Sequence, residues 1–314
     1  MSTREVLLDA NDRGFRGFIR EMRRNGSLYL IVLPVIIFYF IFHYMPMYGV
    51  LMSFQDYSPR LGISGSEWVG FKYYKMFFSS PDAARSIWNT LKISFCSIVF
   101  GFPAPILLAL LLNELKCMRF KKLVQTVSYL PHFISMVVIC GMIRTFVDAE
   151  GIIGSLYAKI TGVNASMLMQ KETFLPIYVL SNIWQGMGWD SIVYLAALTA
   201  VDQQLYEAAE LDGAGRIRKI VSVTLPAIST TVVTMLILKL GHVMSVGYEK
   251  VILLYNPSIY DTADIVSSLV YRVGFEQQNW SYSSAIGLFN SVVNLALVVI
   301  TNTISKKISD ASLW

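Results

Sequence analysis

Long apolar blocks, set apart by polar stretches, govern what this chain can become. A helix needs about 20 mostly apolar residues to cross a hydrocarbon core of about 30 Å. Six blocks reach that length: 27–54, 86–113, 123–146, 174–200, 227–246 and 284–304. The fifth is the weakest, because Lys239 and His242 interrupt it. Charged residues make up 15% of the chain, against about 25% in average protein domains. The pattern predicts an all-α membrane protein of six transmembrane helices, not one or two soluble domains.

The net charge of +5 invites a nucleic-acid reading, but the placement of the basic residues answers to a membrane instead. Arg4, Arg13, Arg16, Arg20, Arg23 and Arg24 precede the first block; Lys116, Arg119, Lys121 and Lys122 follow the second. Arg216, Arg218 and Lys219 follow the fourth, and Lys306 and Lys307 follow the sixth. If the six spans alternate, all of these lie on one side, and the positive-inside rule makes that side, with both termini, cytoplasmic. The other side has longer loops and fewer basic residues, among them Arg60, Lys72, Lys75 and Arg85. No nucleic acid is expected as a partner.

The chain divides into a cytoplasmic tail over 1–26, a first span and external loop over 27–85, a core of five spans over 86–305 and a cytoplasmic tail over 306–314. Residues 15–24 suit either a short amphipathic surface helix or a plain basic tag. The first block is too long for a cleaved signal and should stay as a span. Pro34, Pro46, Pro103 and Pro105 favour kinks within spans. Cys96, Cys117 and Cys140 have no metal or redox spacing and read as packing residues. His43, His132 and His242 are isolated and read as structural.

The loop over 201–226 carries the most information. Glu207-Ala208-Ala209-Glu210-Leu211 favours a helix by propensity, and Asp212-Gly213 favours a stop. A second helical stretch follows Ala214 and Gly215 and runs toward Leu225-Pro226. The local expectation is a short helix, a tight turn and a second helix. On composition alone this is a connecting loop.

Its spacing is similar to a known signature. Glu207-Ala208-Ala209, Gly213 four residues after the last alanine, and Leu225-Pro226 starting twelve residues after the glycine resemble the coupling loop of binding-protein-dependent ABC importer permeases. Asp212 and Ala214 fit as well. The chain also resembles the oligosaccharide-uptake permeases of the LplB-like group nearly end to end. Phe42-His43-Tyr44-Met45-Pro46-Met47-Tyr48-Gly49, Gln125-Thr126-Val127-Ser128-Tyr129-Leu130-Pro131-His132, Lys250-Val251-Ile252-Leu253-Leu254-Tyr255-Asn256-Pro257 and the ending Ser312-Leu313-Trp314 carry that likeness.

The resemblance implies the type I importer fold in a bacterial cytoplasmic membrane. It implies a second homologous permease, an ABC ATPase dimer, an external solute-binding protein or lipoprotein, and an oligosaccharide substrate. Glu207, Ala208, Ala209, Asp212, Gly213 and Ala214 would then form the coupling helix that docks on the ATPase. No Gly-Lys dipeptide occurs, so no phosphate loop is present. No cofactor is expected in this chain; ATP and magnesium would belong to the partner ATPase, and the chain itself would be no enzyme.

The fourth block holds Trp184-Gln185-Gly186-Met187-Gly188-Trp189-Asp190. Aromatic faces stack on sugar rings, amides and carboxylates bond hydroxyls, and glycines allow close approach. Intramembrane carboxylates usually face a bundle interior. Trp184, Gln185, Trp189 and Asp190, with Tyr194 on the same face as Asp190, are therefore the candidate substrate pathway. The competing reading is helix packing, with Asp190 paired to Lys239 or Lys92, or set near the membrane edge. Lys239 suits an acidic sugar such as a uronate, a protein carboxylate, or snorkelling to the interface. Asn290 and Asn294 share a face of the sixth block and either line the path or bond neighbouring helices. A permease for another solute, a stand-alone secondary carrier and a membrane enzyme are the alternatives. A carrier would show repeats and midplane ion sites, and an enzyme a nucleophile–base or metal set; the sequence shows neither.

Overall fold

A computed structural model describes residues 25–241, 243–245 and 247–308. The basic segment before residue 25, His242 and the tail beyond residue 308 lie outside the described residues. Helix dominates, as the apolar blocks require, and the one sheet among the described residues is a short antiparallel pair, β1 (Gln55–Asp56) with β2 (Glu67–Trp68).

Helix α1 (Gly26–Tyr39) runs on through a wide turn at Phe40–Tyr44 and a tight one at Met45–Phe54. No residue of the stretch from Gly26 to Tyr44 is buried. A helix apolar on every side and unburied is what lipid or another subunit must cover. Helix α2 (Lys72–Ser79) leads into α3 (Pro81–Gly101), where the Ser80 hydroxyl accepts from the Asp82 amide and Pro81 opens the first turn. Helix α4 (Pro103–Glu114) continues α3, and the pair forms one span of 34 residues.

The third block is not a single straight span. Helix α5 (Met118–Tyr129) ends in a tight turn at Leu130–Phe133, and α6 (Met136–Val147) departs at 100°. Pro131 cannot donate to the helical ladder, and Ser135 starts a new helix by accepting from the Val138 amide. Helix α7 (Ile152–Thr161) follows.

Helix α8 (Phe174–Thr199) has 26 residues, about 39 Å of rise. It packs against α3, α4 and α5. Its contact with α5 is backbone to backbone: a Cβ on Gly188 would lie 2.0 Å from the Ser128 carbonyl oxygen. After α9 (Gln203–Leu211), helix α10 (Arg216–Ala227) meets α11 (Ser229–Gly241) at 65°. The chain then breaks at Val243–Ser245 and folds back as α12 (Tyr248–Leu254), buried against α6 and α8. Helices α13 (Val266–Tyr271) and α14 (Trp280–Ile308) complete the fold.

Among the described residues Gly26–Phe54, Pro81–Glu114 and Trp280–Ile304 are each long and apolar enough to cross a membrane, and each of the two bent pairs is so only when its two helices are counted as one span. Helix α8 is the sixth span by length. It is not among the helices that meet that apolar criterion, and its polar segment from Gln185 to Asp190 contributes to the site.

Candidate functional site

Helix α8 forms one wall of a cavity of about 600 Å³. Asn182, Gln185, Gly186, Asp190 and Tyr194 face it from α8, Ser94 and Ser97 from α3, and Lys239 from α11. Asn182, Gly186, Asp190 and Tyr194 are four residues apart in turn, so one face of α8 carries them. The lining mixes amides, hydroxyls and both charges with apolar surface. Such a surface can hydrogen-bond a polyhydroxylated solute and still cover its C–H faces.

The structure brings together three of the five pathway residues expected from sequence: Gln185, Asp190 and Tyr194. Trp189 does not line the cavity. Its ring lies flat on His132, 4.5 Å between centroids and 3° from parallel, and His132 does line it. Trp184 is exposed and away from the lining. Asp190 and Lys239 share the cavity without forming a salt bridge, and Asp190 is not paired with Lys92.

Val243 and Gly247, in the break after α11, also line the cavity. The Ser94 hydroxyl bonds the Val243 carbonyl, and the Met244 amide donates to Asn294 Oδ1 at 3.0 Å. Asn294 thus bonds a neighbouring segment, which settles one of its two readings. The Tyr178 hydroxyl reaches the Gly247 carbonyl at 3.5 Å. Lys250, on α12, is 1% exposed and places Nζ 2.8 Å from Asn182 Oδ1 and 3.5 Å from Gln185 Oε1. Sequence reasoning missed Lys250, Asn182 and Tyr178 as site residues. The available signal was a lone lysine directly before the apolar run Val251-Ile252-Leu253-Leu254.

The second site is the loop between α8 and α11. The Asp202 carboxylate caps α9 by accepting from the Gln204 amide at 2.9 Å. At the other end Gly213 adopts φ 73°, and the Gly213 and Ala214 amides return to the Glu210 and Ala209 carbonyls at 3.0 and 2.9 Å. This left-handed cap needs glycine, since a side chain there is strained. Two links then fix α9 on α10: Lys219 Nζ lies 2.6 Å from Glu210 Oε1, and the Tyr206 and Thr224 hydroxyls are 3.1 Å apart. The bond from Lys219 holds the Glu210 carboxyl below the usual carboxylate range. Glu207, Ala208, Asp212 and Gly213 are exposed, while Ala209 and Ala214 are half-buried. Leu211 is 91% exposed, an apolar side chain with nothing over it in this chain.

Residues 101–310 match the protein family described as binding-protein-dependent transport system inner membrane component. The chain belongs to this family. It is a multi-pass membrane permease subunit of the ABC importer type, a transport component. Protein LplB of Bacillus subtilis is 43% identical over 95% of this chain and 94% of its own length. The polygalacturonan/rhamnogalacturonan transport system permease protein YteP of Bacillus subtilis is 44% identical, over 94% of this chain and 92% of its own. A chain from the crystal structure of a bacterial ABC transporter involved in the import of the acidic polysaccharide alginate superposes with a TM-score of 0.85 at 42% identity. That match covers 93% of this permease and 99% of the solved chain. A chain from a second crystal structure, of a bacterial alginate ABC transporter in complex with alginate pentasaccharide-bound periplasmic protein, gives a TM-score of 0.86 at 41% identity, covering 94% of this permease and 99% of the solved chain.

Proposed function

We propose that this permease is one of two homologous subunits of an ATP-driven importer and passes an oligosaccharide through the cavity beside α8. The single observation that carries the substrate class is that cavity: about 600 Å³ lined by amides, hydroxyls, charges and apolar surface on one face of α8. The relatives named for polygalacturonan, rhamnogalacturonan and alginate support it. An external solute-binding protein delivers the sugar; the alginate transporter solved in complex with its alginate pentasaccharide-bound periplasmic protein supports this. Gln185, Asp190 and Tyr194 contact the solute directly. Trp189 acts through His132, and Trp184 faces the second permease.

Helix α9 couples transport to hydrolysis. Glu207, Ala208, Ala209, Asp212, Gly213 and Ala214 set its docking surface, and exposed Leu211 is the apolar anchor that enters a partner groove. A helix capped at both ends and tied to α10 moves as a rigid lever, so a push on it reaches α11 and Lys239 in the cavity wall. ATP and magnesium are held by a partner ATPase dimer, and both termini face the cytoplasm with it, where Arg216, Arg218 and Lys219 also lie.

Purification of the permease from its native membrane in a mild detergent, with mass spectrometry of what accompanies it, tests this assembly. A second permease, an ATPase with a phosphate-loop motif and an external binding protein are expected. A chain that purifies alone under conditions that preserve such complexes overturns the proposal.

A further inference from the structure

An ammonium has three donors and no lone pair. Lys250 can therefore face only the oxygen of each amide it meets. With its Nζ at Asn182 Oδ1 and Gln185 Oε1, both amides are oriented by chemistry, their oxygens toward Lys250 and their NH2 groups turned away. The Asn182 amide sits against the Tyr178 hydroxyl, which bonds Gly247. Among the described residues nothing accepts from the Gln185 NH2, and Gln185 lines the cavity. Lys250 itself is buried and forms no salt bridge. A buried cation without a carboxylate partner is costly, and its field is little screened.

Lys239 enters the same cavity from α11, also without a salt bridge. Asp190 is the lone carboxylate among the lining residues, so two ammonium groups reach this wall against one carboxylate. A wall that offers donors and a positive field favours an acceptor that carries charge, because charge-assisted hydrogen bonds are the stronger kind.

We propose that Lys250 is a positioning residue that gives the cavity its preference for carboxylate-bearing oligosaccharides, by turning the Gln185 NH2 toward the solute and adding its own positive field. This preference presupposes that the chain is an oligosaccharide permease.

The test uses the complete importer in proteoliposomes, with uronate trisaccharides, their methyl esters and neutral hexose trisaccharides as probes. Only probes that the binding protein itself binds are compared. The wild type should take up the uronates faster than the esters. Lys250→Met should lower the acid-to-ester uptake ratio by roughly tenfold, the scale of one lost charge-assisted hydrogen bond, and Lys250→Arg should restore most of it. Gln185→Glu keeps an acceptor for Lys250 but replaces the NH2 with an oxygen, and should lower the same ratio. If Lys250→Met slows acid and ester alike, or misassembles while Gln185→Glu leaves the ratio unchanged, Lys250 is merely structural and the proposal falls. Faster wild-type uptake of neutral probes overturns the acid preference and leaves the oligosaccharide reading intact. Uptake of no probe at all removes both.

Discussion

Lys219 reaches back across the Asp212–Gly213 turn and sets its ammonium 2.6 Å from the Glu210 carboxylate, so the last turn of α9 is pinned to the first turn of α10. The partner lowers the Glu210 pKa, so its stabilising effect is present above the ordinary carboxylate range and is lost as pH falls through the lowered value. The turn should therefore keep its protection from hydrogen exchange at neutral pH and lose it in acid. Lys219→Met should show the looser exchange of residues 203–215 already at neutral pH. Unchanged exchange in that variant would mean that the pair does not hold the helix.

Gly213 is the backbone hinge of the same loop. Its φ of 73° costs a side chain about 1–2 kcal/mol, although no neighbour blocks the space. Gly213→Val should fold and insert, continue to hydrolyse ATP in the assembled importer, and lose most uptake. Normal uptake by this variant would remove α9 from coupling.

Gly188 answers to a different constraint. Its φ is ordinary, but the Ser128 carbonyl leaves no room for a Cβ. Gly188→Ala should force α5 and α8 apart and cost about 1–3 kcal/mol, the usual cost of overpacking. A lower melting temperature of the purified protein, with the cavity residues unchanged, is the expected reading.

Asp264 is wholly buried and holds Arg272 at 2.7 Å, with Ser268 donating at 2.8 Å and Arg85 3.7 Å away. Arg272 also lies over the Tyr260 ring. Removing one member of a buried pair costs about 3–5 kcal/mol, because the other charge stays behind. Arg272→Met should therefore destabilise the segment that joins α13 to α14 more than any exposed pair, such as Lys72 with Asp56, would. Equal loss of stability in Arg272→Met and Lys72→Met would contradict this.

Much of this architecture is legible in the sequence. Apolar length predicts the spans because a bilayer demands it, and the Glu207–Gly213 spacing predicts helix, cap and turn because glycine alone suits the cap. The 100° break between α5 and α6 was not legible, since the apolar run continues across it and a proline in a span is compatible with a mere kink. In the cavity, helical period brought Asp190 and Tyr194 to one face, but composition could not separate Gln185, which faces the cavity, from Trp184, which does not. Lys250 escaped because its partners are 68 and 65 positions away, and only the fold-back of α12 brings them together.

The most direct test of the central claim is uptake by proteoliposomes that carry the complex isolated through this chain. The account predicts that a labelled oligosaccharide accumulates only with ATP on the ATPase side and the binding protein on the other. Accumulation by the chain without any ATPase subunit would contradict it.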